Sequence, residues 1–125
     1  MDKNWEQVRA FHLAFDNPYS DTPKFLDSKR ANLRYCWMLE ELDEFIASDE
    51  IVEQADAMID LIYFALGTLV EMGIKPDKLF DIVHSANMSK LWEDGKPHFN
   101  EQGKVIKPKG WNDPHDKIKN AIDEM

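Results

Sequence analysis

The sequence predicts an all-α, four-helix-bundle-like fold, followed by a Gly/Pro-rich loop and a short terminal helix. Apolar side chains recur at spacings of three and four residues in the first half of the chain, as one face of a helix requires. Prolines fall only between these stretches or at a helix start, where they do not break the hydrogen-bond ladder. Because 125 residues suffice for one domain with its own core, we expect a single domain over residues 1–125.

The first two helices are bounded by clear start and stop signals. The apolar spacing predicts the first helix over residues 4–16, and Pro18 prevents its continuation. A second helix is predicted over residues 27–48. Either Asp27 or Ser28 can cap its first free N–H groups.

The third helix is predicted over residues 49–72, with Gly73 as its C-terminal stop. Between residues 57 and 70 its surface is apolar on nearly every side, so we expect a central and nearly fully buried helix. A fourth helix is predicted to begin at residues 76–77 and to end by Gly95.

The remainder of the chain changes character after the fourth helix. Residues 95–114 are rich in Gly, Pro and Lys and lack helical periodicity, which predicts an ordered loop or hairpin. A short helix over residues 116–125 is expected to pack through its apolar side chains, Ile118, Ala121 and Ile122.

Composition excludes several classes of protein. A hydrophobic content of 43% argues against disorder, and no apolar stretch approaches the roughly 20 residues of a membrane span. The N-terminus has no secretory signal pattern, so we expect a cytoplasmic protein. Cys36 is the only cysteine, which excludes an intrachain disulfide. The net charge of −9 argues against a nucleic-acid partner.

Three carboxylates occupy one sector of the second helix. At 100° per residue, Glu40, Glu41 and Glu44 fall within about 100° of one another. A solvated acidic face is the simplest interpretation of such a run. However, Leu33 and Trp37 continue the same sector, so the carboxylates are also consistent with a pocket.

Asp60 lies in the middle of the apolar third helix, with Asp56 one turn before it on the same face. A buried ionised carboxylate must be paired or bound to a metal ion. A salt bridge with Arg34 is one explanation. The other is that the carboxylates of both helices form a set of oxygen ligands for a hard cation, Mg²⁺ or Mn²⁺.

Polar side chains with substrate-binding chemistry follow in the second half of the chain. Asn87 and Lys90 are one helical turn apart and suit a base edge and a phosphate, respectively. Lys104 and Lys107, in the Gly/Pro-rich loop, could cover a phosphate. Ordinary surface and capping roles explain all four equally simply. Three further residues are candidates for contact with a base: His12, Phe15 and Tyr63.

The chain resembles the MazG-like superfamily of all-α NTP pyrophosphohydrolases, which includes dimeric dUTPases and phosphoribosyl-ATP pyrophosphohydrolases. Its hallmark is E-x-x-E on one helix and E-x-x-D on the next. Glu41-Leu-Asp-Glu44 matches the first half. The second half departs, because the acid before Asp60 is Asp56, four residues earlier, and a literal E-x-x-D stands at Glu53–Asp56.

Two downstream segments, VHSANMSKLWEDGKP and NEQGKVIKPKGW, look like those of a phosphoribosyl-ATP-pyrophosphohydrolase-like subgroup, so the resemblance spans roughly residues 33–111. It implies hydrolysis between the α- and β-phosphates, Mg²⁺ as cofactor, and a homodimer or dimer of dimers. It further implies metal ligands at Glu41, Glu44 and Asp60, with Asp56 or Glu53 as the fourth. Glu40 would bind metal or orient the attacking water.

The expected function is therefore nucleotide-pool housecleaning, with dUTP or another non-standard or surplus nucleotide as substrate. Phosphoribosyl-ATP hydrolysis is the alternative within the same class. A helical interaction or regulatory protein, in which the buried acids form structural salt bridges, is the non-enzymatic alternative.

Overall fold

The computed structural model describes residues 1–125 and contains five helices and one two-stranded hairpin. This architecture confirms the all-α prediction. The contacts divide the chain into two compact units, Met1–Pro76 and Asp77–Met125, which are described separately. The single-domain organisation stays a prediction. No single helix is long and apolar enough to cross a membrane. The bent pair of helices at Ile51–Met72 and Asp77–Met88 meets the length and composition of a membrane span only when the two are taken together.

The first unit consists of three helices: α1 (Asp2–Ala14), α2 (Ser28–Ala47) and α3 (Ile51–Met72). Asp27 caps α2 as predicted, since its Oδ1 accepts a hydrogen bond from the Arg30 backbone N–H at 2.9 Å. Gly73 ends α3 in the left-handed conformation (φ 68°). A Cβ at this position would collide with the Thr22 carbonyl oxygen.

The core of the first unit lies between α1 and the C-terminal half of α3. Trp5 and Val8 of α1 pack against Leu66 and Val70 of α3. The expectation that α3 is nearly fully buried is wrong for this chain. Its N-terminal half leaves four apolar side chains exposed because α1 covers only the other half: Ile51, Val52, Ile59 and Ile62.

A buried ion-pair network joins α2 to the C-terminal end of α3. Arg30 donates two hydrogen bonds to the Glu71 carboxylate, from Nε to Oε1 at 2.6 Å and from Nη2 to Oε2 at 3.0 Å. Arg34 Nη1 lies 3.1 Å from Glu71 Oε2. Glu71 and Arg34 are only 2% and 4% exposed, so these charges compensate each other away from water. The alternative explanation for Asp60, a salt bridge with Arg34, is therefore wrong, because Arg34 pairs with Glu71.

The second unit contains α4 (Asp77–Met88), β1 (His98–Phe99), β2 (Val105–Ile106) and α5 (His115–Asp123). The strands form an antiparallel hairpin, as predicted for this segment, and α5 buries Ala121. The prediction that α4 extends to near Gly95 is wrong. The helix ends at Met88 because Trp111 and Ser89 both hydrogen-bond the Ala86 carbonyl oxygen.

Candidate active site

The side of α2 that faces α3 is basic at its N-terminal end and acidic at its C-terminal end, whereas the facing side of α3 is acidic at both ends. On α2 the face runs from Arg30 and Arg34 through Trp37 to Glu41 and Glu44. Because α3 runs antiparallel, its Glu71 lies opposite the two arginines. The acidic residues of its N-terminal half then lie opposite the acidic end of α2. The ion-pair network thus fixes the register that brings the carboxylates of both helices together.

Glu41, Glu44 and Asp60 form the carboxylate cluster of this site. Each offers one oxygen, and these oxygens all lie within 4.8 Å of one another. Glu41 is buried, Asp60 is half-buried, and Glu44 is exposed at the edge. Glu41 Oε2 is buried and has no hydrogen-bond partner, which is costly for a carboxylate oxygen unless a cation is bound.

The electrostatics of the cluster also favour a bound cation. Burial raises the pKa of Glu41 to about 7, assisted by a hydrogen bond with Glu44 and by the negative charges around it. Burial, followed by the charges of Asp56 and Glu44, raises the pKa of Asp60. A divalent cation would reverse this repulsion, so the residues present fit a hard metal ion with oxygen ligands.

The raised pKa of Glu41 predicts that metal stabilises the protein most at high pH. In the folded metal-free chain Glu41 holds its proton more tightly than in the unfolded chain, so its contribution to stability is lost as pH rises through about 7. Mg²⁺ replaces that proton. We expect Mg²⁺ to raise the Tm by about 3–5 °C near pH 8 and by much less near pH 5.5. Thermal unfolding followed by circular dichroism, in Mg²⁺ and in EDTA, measures this.

The variant Glu41→Gln should abolish this pH dependence, whereas Asp43→Asn, a change of an exposed acid on the same helix, should leave it intact. An equal effect of Mg²⁺ at both pH values would contradict the assignment of Glu41.

The other predicted acids lie around the cluster rather than within it. Asp56 acts electrostatically on both Glu41 and Asp60, and it lines a cleft of about 290 Å³ together with Glu44 and Glu53. Glu53 lines the same cleft, but only Asp56 is among the charges that raise the pKa of Glu41 and Asp60. Glu40 is exposed and lies 100° around α2 from Glu41.

An aromatic cavity of about 220 Å³ lies between α1, the segment that follows α1, α2 and α3. Trp37 precedes Glu41 by one turn on α2, and Phe64 follows Asp60 by one turn on α3. The cavity is lined by aromatic rings together with one amide and one guanidinium group: Phe11, His12, Asn17, Arg34, Trp37, Tyr63 and Phe64. Its walls therefore suit a flat, aromatic ligand.

Polar atoms of the cavity are held in defined roles. His12 Nδ1 lies 2.7 Å from the Pro18 carbonyl oxygen, which can only accept a hydrogen bond, so Nε2 of the neutral ring is left as an acceptor. Gly67 forms the adjoining helix surface, and a Cβ there would collide with Arg34 and lie 3.0 Å from His12 Nε2. Gly67 therefore permits the close approach of Arg34 and His12 to this part of α3.

The predicted base contacts are placed differently from one another. His12 and Tyr63 line the aromatic cavity, whereas Phe15 is 65% exposed and stacks on Phe11. The sequence did not single out Arg34, Asn17 or Phe64 for this cavity. Only the position of Trp37 one turn before Glu41 signalled it.

The predicted phosphate-binding residues all belong to the second unit. The ammonium groups of Lys90 and Lys107 lie 5.4 Å and 4.7 Å from the centre of the Trp111 ring. The structure thus brings these two lysines together. Asn87 and Lys104 are both exposed, and the Lys104 backbone N–H donates to Asn100 Oδ1 in the hairpin turn.

Comparisons with known proteins agree with this geometry. The model of the phosphoribosyl-ATP pyrophosphohydrolase family matches residues 8–87. A crystal structure from Exiguobacterium sp. 255-15, described as a candidate NTP pyrophosphohydrolase, is 29% identical to this chain with a TM-score of 0.54. The match covers 97% of this chain and 94% of that one. None of the curated proteins compared with the chain matches it.

Both matches indicate NTP pyrophosphohydrolase-type activity, that is, hydrolysis of a phosphate anhydride. The family model covers the three helices of the first unit from Val8 onward, including every carboxylate of the cluster. Because the family model matches well over half of the residues of this chain, the chain belongs to the phosphoribosyl-ATP pyrophosphohydrolase family.

Proposed function

We propose that this protein is a Mg²⁺-dependent nucleoside triphosphate pyrophosphohydrolase. It would cleave between the α- and β-phosphates and release a nucleoside monophosphate and pyrophosphate. One observation carries the proposal: a carboxylate cluster with an unpartnered buried oxygen lies one helical turn from an aromatic cavity. A nucleotide presents the matching pair of groups, polyphosphate and flat base.

Glu41, Glu44 and Asp60 would hold the metal, with Asp56 completing the ligand set. Mg²⁺, or Mn²⁺ in its place, would neutralise phosphate charge and promote ionisation of a bound water. The buried Glu41 supports this role most strongly, because its Oε2 has no other partner. The non-enzymatic alternative accounts for Glu71, which is fully paired, but leaves Glu41 and Asp60 without cationic partners.

The reaction needs no covalent nucleophile from the protein. A water oxygen bonds to the α-phosphorus, and the bond from that phosphorus to the α–β bridging oxygen breaks, so the electron pair leaves with pyrophosphate. The water must lose a proton. We assign Glu40 as the carboxylate that orients the water and accepts this proton, because it lies exposed beside the cluster.

The aromatic cavity supports a nucleobase as the part of the substrate that is recognised. Its walls can stack on a base, while His12 Nε2 and the Asn17 amide offer an acceptor and a mixed donor–acceptor group to a base edge. We propose that the substrate is dUTP or another non-standard or surplus nucleotide. We also propose that the protein acts in the cytoplasm. The family match favours phosphoribosyl-ATP as the second candidate.

A substrate panel tests this function directly. Purified protein would be incubated with each NTP and dNTP, with dUTP and with phosphoribosyl-ATP, in Mg²⁺, Mn²⁺ or EDTA. Both the monophosphate and pyrophosphate would be measured. We expect turnover of at least one compound, dependent on the divalent ion. No turnover of any compound with either metal would overturn the proposal.

We further propose that the protein is a homodimer or a dimer of dimers. The exposed apolar residues on the N-terminal half of α3 fall within a 100° sector that continues the buried face of its C-terminal half. An exposed stripe on α2 has the same character: Tyr35, Leu39, Leu42 and Ile46. A second copy of the chain would remove these side chains from water.

Replacing Ile59, which is 62% exposed, by glutamate should weaken this association. A charge buried in the interface would raise the dimer dissociation constant about 100-fold, which corresponds to about 2.7 kcal/mol. Sedimentation equilibrium measures the change. Leu13→Glu, an exposed apolar residue of α1, serves as the control. A monomeric wild-type protein, or an unchanged dissociation constant in Ile59→Glu, would contradict the dimer.

A further inference from the structure

The second unit contains a local concentration of positive charge in an acidic protein. Residues 86–111 include five lysines and three acidic residues, a net charge of +2, whereas the other residues of the chain together carry −11. Such segregation of charge is typical of a surface that attracts anions. It does not by itself identify a site, because solvated lysines are common on protein surfaces.

Trp111 organises two of these lysines. Both the Lys90 and the Lys107 ammonium groups lie within cation–π distance of its ring, at 5.4 Å and 4.7 Å from the ring centre. The two charges can therefore be no more than about 10 Å apart, although 17 residues separate them in sequence. Neither ammonium group forms an ion pair with a carboxylate, unlike Lys78 and Lys119 of the same unit.

The Trp111 ring is itself held firmly. Its indole N–H donates to the Ala86 carbonyl oxygen at 3.0 Å and to Ser89 Oγ at 2.9 Å, and Ser89 in turn donates to Ala86 at 2.6 Å. These bonds fix the ring edge against the last turn of α4. Trp111 also lines a cleft of about 530 Å³, whose charged residues are Glu93, Lys109, Asp113 and Lys117.

Two ammonium groups on one ring, no more than about 10 Å apart and without an ion-pair partner, suit an anion whose charged oxygens extend over several ångströms. We propose that Lys90 and Lys107 form an oxyanion site for the phosphate groups of a polyphosphate, and that Trp111 is the residue that positions both lysines. The proposal concerns the second unit alone and goes beyond the proposed function. Binding of a polyphosphate at the site requires no turnover.

Inorganic pyrophosphate is the probe that separates this site from the metal centre. Calorimetric titration of the full chain in EDTA removes divalent ions, so the carboxylates repel rather than bind the anion. We expect Lys90→Gln and Lys107→Gln each to weaken pyrophosphate binding about fivefold. Lys78→Gln, which removes a lysine already paired with Glu124, should leave the affinity unchanged.

Variants of Trp111 test separately whether this residue positions the two lysines. Trp111→Leu should weaken binding as much as the two lysine changes combined, and in that background each lysine change should alter the affinity less than about twofold. Trp111→Phe keeps an aromatic face and should stay within about threefold of wild type.

Any of three results would overturn the proposal. These results are no pyrophosphate binding in EDTA, unchanged affinity when both lysines are replaced, or full additivity in the Trp111→Leu background. Asp60→Asn should bind pyrophosphate in EDTA as wild type does. Failure of the metal-dependent reaction is therefore distinguishable from failure of this site.

Discussion

Asp60→Asn is expected to lower kcat by about 100- to 1000-fold, the effect of removing one preorganised electrostatic group from an active site. The substitution removes a charge without changing volume. Asp60 is half-buried, and the charges that act on it, those of Asp56 and Glu44, are both negative, so we expect its own charge to be stabilised only when a cation is bound. We therefore expect the metal-free variant to unfold at the same temperature as wild type or at a higher one. Pyrophosphate release and thermal unfolding in EDTA measure the two effects.

Variants of the neighbouring acids show whether the loss of kcat in Asp60→Asn is specific to the metal site. Glu44→Gln should reduce kcat to a similar extent, and Asp43→Asn, an exposed acid of the same helix, should not reduce it. Asp56→Asn and Glu53→Gln distinguish the two candidates for the fourth ligand, and we expect about a tenfold loss only in the former. Full activity in Asp60→Asn would remove this residue from the metal site.

Glu71→Gln is expected to lower the free energy of unfolding by about 3 kcal/mol, the lower end of the range for breaking a buried ion pair. The variant keeps the side-chain shape but leaves two guanidinium groups facing a neutral amide. Arg34 is buried and cannot recover its lost interaction from water. For a chain of this size the Tm should fall by about 10–15 °C.

Urea unfolding at constant pH measures this loss. Glu6→Gln is the control, since Glu6 forms an exposed ion pair with Lys75 at 3.2 Å, and such pairs contribute about 0–1 kcal/mol. A change in Glu71→Gln no larger than in this control would show that the network does not stabilise the fold.

Local signals were sufficient for most helix boundaries. The cap at Asp27 and the left-handed Gly73 are short-range features that depend on neighbouring backbone groups. The burial of α3 was not predictable in the same way. Periodicity shows which face of a helix is apolar, but what covers each part of that face depends on where α1 crosses it.

The site was predictable to the extent that it follows helix geometry. Asp60 was noticed because it lies inside an apolar helix, whereas Glu41 and Glu44 alone would be read as a solvated face and were selected through the resemblance of E-x-x-E to the MazG-like motif. The partner of Arg34 was not, because side-chain pairing between helices depends on their relative register. Glu71, near a helix end, has no local feature that distinguishes it from a solvated acid. The meeting of Lys90 and Lys107 on Trp111 likewise requires the fold of the hairpin segment.

The ion-pair network also constrains how the chain can change in length. Eleven residues separate Arg30 from Glu41 on α2, and eleven separate Asp60 from Glu71 on α3, about three helical turns in each case. One inserted residue between Asp60 and Glu71 would turn the two ends of α3 by 100° relative to each other. Either the arginines or the carboxylates would then face the wrong way. Substitutions along this interval can reshape the aromatic cavity, whereas insertions and deletions cannot be accommodated there without loss of the site.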